Sequence, residues 1–175
     1  SGHLAAAVKN ATLFEETREM YSAAVRALAA TVDIRDSYTM HHSEHVAVVA
    51  RQVALEMGLS KDEVDVIELA GLVHDIGKVG IPDSILLKPG KLTPEEFAVM
   101  KTHTLLGAKA IAAAEKRLGA NSFLHHAHEI ALSHHEKWDG SGYPNGLAGE
   151  DIPLSGRIMA VADVYDALIS HRVYK

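Results

Sequence analysis

The 175 residues are enough to bury one real core, and 47% hydrophobic with 23% charged residues is a globular composition. A formal net charge of −6 argues against broad DNA binding through phosphate neutralisation, though a local basic cluster could still hold a small phosphorylated ligand. No cysteine means no disulfide framework and no thiolate metal site, which fits a reducing cytoplasm, and neither a signal peptide nor an apolar run near the ~18 residues of a membrane span is read.

Residues 11–33 lack proline and glycine and put Phe14, Thr17, Tyr21, Ala24, Leu28 and Val32 at spacings of three and four. That pattern predicts a helix, either an amphipathic one packed on the domain or a coiled-coil connector from an upstream domain. Asp36 or Ser37 can cap a second helix that runs to about Met57 and stops at Gly58. Ser60 and Glu63 have the capping-box spacing and open a third helix, apolar through Val64, Ile67, Leu69, Ala70 and Val73, that runs into His74-Asp75. Gly77, Gly80 and Pro82 break the pattern. Thr93 then caps, with Pro94 at the first helical position, a segment helical to about Leu118 and interrupted near His103. Gly119 ends it. A helix from about Ser122 leads to His134-His135, a loop covers 138–153, and a last helix begins near Leu154. No segment alternates as a strand does, so the fold class is all-α.

Twelve histidines stand out. Polar residues that packing does not explain fall in five stretches: HHSEH (41–45), HDIGK (74–78), KTH (101–103), HHE (134–136) and ADVYD (162–166). Each has an ordinary alternative. His74-Asp75 can serve a helix dipole, His103 alone reads as a surface histidine, and His134 and His135 point ~100° apart around a helix. Asp163 lies between Val161 and Val164, and a buried carboxylate there needs a cation or hydrogen bonds. One metal site built from neighbouring helices explains all five at once. Imidazole and carboxylate donors suit iron or manganese, with zinc, nickel or cobalt also compatible. The seven candidates exceed the needs of one ion, so two ions ~3.5–4 Å apart sharing a carboxylate are the economical arrangement.

The strings YTMHHSEHV, LVHDIGKVGIPDSILLKPGKLT, MKTH, HHEKWDGSGYPNGL and GRIMAVADVYDAL, spread over 36–175, resemble the HD superfamily of metal-dependent phosphohydrolases. They look like its HD-GYP branch, bacterial cyclic di-GMP phosphodiesterases. The resemblance implies an HD-domain helical bundle with a GYP loop over 36–175, its C-terminal lid cut short at Lys175, preceded by a connector helix over 1–35. It implies that His42, His74, Asp75 and Asp163 hold one ion, and that Asp75, His103, His134 and His135 hold the other, with Asp75 bridging. His41 stands where the family often has glycine, and His45 where it has arginine. Tyr38 stands where some members have an extra glutamate ligand, which favours two ions over three.

On the same basis a hydroxide between the ions attacks one phosphorus of cyclic di-GMP, giving pGpG, with a further step to GMP left open. Lys78 would offset the developing charge, and is otherwise a solvated helix-end lysine. Gly142, Tyr143 and Pro144 would approach the nucleotide, Tyr143 being otherwise a packing residue under its loop. Arg172 and Lys175 would contact phosphates, although Arg-Val-Tyr replaces the usual Arg-Pro-Tyr. Glu136, Asp139 and Asp166 are expected to orient ligands and loop. His125, His126 and His128 match no family position and read as surface or supporting histidines. The implied partners are cyclic di-GMP or another cyclic dinucleotide, a diguanylate cyclase (GGDEF) domain, and a second copy through the N-terminal helix. Two rival readings remain: a silent nucleotide- or partner-binding module, and a phosphohydrolase for another nucleotide or phosphoester.

Overall fold

The structure, a computed structural model, describes residues 2–36, 41–119 and 121–169. Eight helices follow in chain order among them: α1 Gly2–Arg35, α2 His42–Glu56, α3 Lys61–Gly71, α4 Asp83–Leu86, α5 Pro94–Lys101, α6 His103–Leu118, α7 Ser122–Ser133 and α8 Leu154–Ile169. A 3-10 turn, Ile76–Gly80, follows α3, and another spans Gly149–Asp151. One isolated bridge, Asp139 with Ala148, is the only extended pairing among the described residues, and none of their helices is long and apolar enough to cross a membrane.

Local chemistry sets most of these ends. Ser60 and Glu63 exchange both capping-box bonds, as do Thr93 and Glu96 ahead of Pro94. Gly58 and Gly119 follow α2 and α6 at φ 79 and 84, a region open to glycine. The interruption near His103 is the junction of α5 and α6 at Thr102.

Two expectations need correction. The second helix begins at His42, not at Asp36 or Ser37; Ser37 lies outside the described residues, and Asp36 is turned inward to Lys78. Asp33, in the last turn of α1, reaches across to the start of α2 and accepts from Ser43 N at 3.3 Å and Ser43 Oγ at 2.7 Å. A cap supplied from another helix leaves no local motif. The buried face of α1 is also different. Val25, Ala29, Val32 and Asp33 are buried, whereas Leu28 is 55% exposed and Phe14 68%. Ion pairs from Arg18 to Asp65 and from Arg26 to Glu68 orient α1 against α3, and Tyr21 meets Phe123 edge-on, which turns small residues rather than Leu28 inward.

The core lies among α2, α3, α6, α7 and α8, where Val46, Ala50, Val64, Ile67, Ile130, Ile158 and Met159 are almost fully buried. Alanines at 47, 54, 70, 127, 131 and 162 let the helices approach closely. His41 precedes α2 at φ 66 without a side-chain cap bond, the one non-glycine at positive φ among the described residues. His41→Gly should therefore raise stability by roughly 0.5–1 kcal/mol, relief of left-handed strain exceeding the added chain entropy. A rise in thermal midpoint with unchanged metal content is the expected reading.

Candidate metal centre

Four imidazoles are pinned the same way. The Nδ1–H of His74 donates to Gly71 O at 2.8 Å, that of His103 to Met100 O at 2.7 Å, and that of His134 to Ile130 O at 2.8 Å. His42 donates from Nδ1 to Asp166 Oδ2 at 2.7 Å. These bonds fix the tautomer and aim the other ring nitrogen, with its lone pair, into the bundle.

Those lone pairs face other acceptors. His103 Nε2 lies 3.3 Å from Asp75 Oδ1 and 3.4 Å from His134 Nε2. His134 Nε2 is 3.7 Å from Asp75 Oδ1, His74 Nε2 3.3 Å from Asp75 Oδ2, and His42 Nε2 3.3 Å from Asp163 Oδ1. His74 Nε2 and Asp75 Oδ1 are buried without a hydrogen-bond partner. Lone pair against lone pair is repulsive, and buried acceptors left so are costly unless a cation or proton lies between them. The donor atoms form two groups, Asp75, His103, His134 and His135 in one and His42, His74 and Asp163 in the other, each within 4.8 Å. Asp75 turns one oxygen to each group. The residues fit divalent cations with nitrogen and oxygen ligands.

Considering protons alone, burial pushes His103 down to about 4 and His135 down to about 2, so both rings are neutral near pH 7 and able to take a cation. Burial also disfavours a charged His74, but Asp75 and Asp163 together outweigh it and lift this ring to about 9, so a cation bound there displaces a proton. Burial opposes the charge on Asp163, yet His42 and His74 hold its carboxyl below the usual range. Burial likewise opposes the charge on Lys78, yet Asp75 and Asp36 hold its ammonium above the ordinary lysine range, at 2.7 and 2.9 Å.

The loop after α7 closes one side. Buried Glu136 accepts from Asn145 N at 2.7 Å and Leu147 N at 3.1 Å, holding the loop back on the double histidine. A Cβ on Gly142 would sit 2.4 Å from Lys137 N and 2.5 Å from Glu136 Cα, so only glycine allows this approach. Tyr143 lies on His135 with centroids 4.8 Å apart, and Phe97 meets Tyr143 edge-on. Burial raises the phenol's pKa, keeping it a neutral donor. Asp139 is exposed and shapes the loop through Ser141, whereas Asp166 supports His42 directly. His125 pairs with Glu129 on the outer side of α7, away from both groups. Arg172, Lys175 and Tyr38 lie outside the described residues. Sequence reasoning missed Asp36 as a partner of Lys78; a carboxylate at a helix end reads as a cap, and nothing local ties it to a lysine 42 residues on.

A helical bundle whose His-Asp pair joins two histidine groups defines a class, and the chain belongs to the HD domain family, whose model matches residues 7–175. Among particular relatives, it is 52% identical over 168 residues to a Vibrio cholerae protein named cyclic di-GMP phosphodiesterase, covering 91% of this chain and 34% of that one. It is 47% identical over 167 residues to the same organism's 3'3'-cGAMP-specific phosphodiesterase 2, covering 95% and 31%. The chain thus spans about a third of the length of these relatives. Among solved structures, Bd1817, an HDG"Y"P protein from Bdellovibrio bacteriovorus, shares the fold at TM-score 0.59 and 22% identity, over 77% of this chain and 42% of that one.

Proposed function

We propose that this chain is the catalytic portion of a metal-dependent phosphodiesterase that opens cyclic di-GMP to linear pGpG. The observation that carries the reading is the convergence of pinned imidazole lone pairs on both oxygens of Asp75. His42, His74, Asp75 and Asp163 would hold one divalent ion, and Asp75, His103, His134 and His135 a second, with iron or manganese favoured by the donor set. Ions bound there supply Lewis-acid activation of water and of the scissile phosphate.

The protein's own groups do the rest. Asp75 ties the two halves of the site together, and Lys78, charged beside it, offsets negative charge gathering on the phosphate. Tyr143 offers a ring face and a neutral hydroxyl at the mouth of the site, and Gly142 lets its loop shield that side from water. Arg172 and Lys175 enter as phosphate contacts on family resemblance alone. The relative named for 3'3'-cGAMP makes the hybrid dinucleotide the first competitor substrate.

The test is turnover of cyclic di-GMP and 3'3'-cGAMP by protein stripped with a chelator and reloaded with iron or manganese, following the linear products by chromatography. Two ions bound with no product from either nucleotide would overturn the reading.

Asp166→Asn keeps the shape beside His42 but removes the carboxylate that orients its ring. Metal retention at the His42, His74 and Asp163 group should weaken by about 10–100-fold, measured by chelator competition.

We also propose a parallel dimer through α1. Leu13, Met20, Ala27 and Ile34 recur every seventh residue on the face opposite Val25 and Ala29, and Met20 and Ile34 are 70% and 78% exposed. A monomer by light scattering with α1 present would remove this proposal.

A further inference from the structure

Lys78 is held from two sides by neighbours in sequence at the end of α1. Asp36 takes its ammonium at 2.9 Å, opposite Asp75 at 2.7 Å. Arg35 donates to the Lys78 carbonyl, to Ile81 O at 2.5 Å and to Asp83 Oδ1 at 2.8 Å. Both carboxylates and the lysine are largely buried, Asp36 at 7% exposure and Asp75 at 6%. In such surroundings a lysine stem of four rotatable bonds stays in one place only when its charge is countered on each side. Asp75 is a candidate ligand whose charge an ion would share. Asp36 lies in neither ligand group.

We infer that Asp36 is a positioning residue: with Arg35 it fixes the Lys78 ammonium beside Asp75, so the C-terminal end of α1 and the residue after it set the competence of the site. The inference deepens the phosphodiesterase reading and rests on it for its kinetic consequence. It also makes α1 a lever. Turning or sliding that helix carries Asp36 and Arg35 away from Lys78, and Asp33 away from Ser43 next to candidate ligand His42.

The test compares the parent chain, Asp36→Asn, Lys78→Ala and the double variant, all as full-length protein. Asp36→Asn preserves shape, and a circular-dichroism spectrum of each variant checks that it is folded. In metal-free protein, acylation of Lys78 by an amine reagent, read by mass spectrometry against exposed Lys91, should rise several-fold in Asp36→Asn. With metal and cyclic di-GMP, kcat should fall about tenfold while KM and metal content stay within about twofold. In the Lys78→Ala background the same change should have no further effect, because the group it positions is gone. Unchanged Lys78 labelling, or an undiminished tenfold loss in the Lys78→Ala background, overturns the inference. Absence of turnover in the parent chain sinks the phosphodiesterase reading instead, and the labelling still decides the role of Asp36.

Discussion

Asp75→Asn is expected to lower turnover by at least about 10³-fold and to empty both halves of the site, while the helices stay folded. Donors and acceptors around the carboxylate decide the outcome. Asp75 Oδ2 faces the Lys78 ammonium at 2.7 Å, so the amide of an asparagine must turn its oxygen there. Its NH2 then points at the Nε2 lone pairs of His103 and His134, which lie 3.3 and 3.7 Å from Oδ1. Hydrogen bonds would occupy the space a cation needs, relieving the repulsion among acceptors while removing the shared charge. Elemental analysis, product assay and a circular-dichroism spectrum check the three parts. Retention of two ions per chain, or loss of the helical signal, would contradict the geometry.

Gly77→Ala should do the opposite, losing the fold along with the site. A Cβ there would lie 1.8 Å from His103 O and 2.5 Å from Gly107 N, both backbone atoms of α6. No rotamer relieves that contact, so the turn carrying Lys78 must move off α6, drawing Asp75 from His103. Destabilisation of about 3 kcal/mol or more is expected, with loss of bound metal. Gly58→Ala is the control: open space surrounds it, and only its φ of 79 is strained, so about 1–2 kcal/mol is expected there. Urea titrations of both variants give the comparison.

These two residues also show what was legible. Gly77 reads in the sequence as a breaker after an apolar helix, which it is, since Ile76–Gly80 is a 3-10 turn. That the turn is pressed against a backbone carbonyl 26 positions on could not be read, because a close approach leaves no trace in the residue's own neighbours. The face of α1 was misjudged for a related reason. Spacing identified a helix, but ion pairs with α3 and the Tyr21–Phe123 contact set its rotation. Asp33 and Asp36 could be seen only as polar residues near a helix end, and their partners lie on α2 and beyond α3.

By itself, the sequence determined the long helices, the capped starts of α3 and α5, the glycine stops, and the set of imidazoles and carboxylates that could meet. Caps and stops are interactions over three or four residues, so composition at fixed spacing is enough to specify them. Only the tertiary structure decided which ring nitrogen faces which oxygen, as in His42 with Asp166, 124 residues apart, and that α1 ends against Lys78. Packing chooses those pairs, because side chains so distant in the chain share no local preference and meet only where helix faces bury one another.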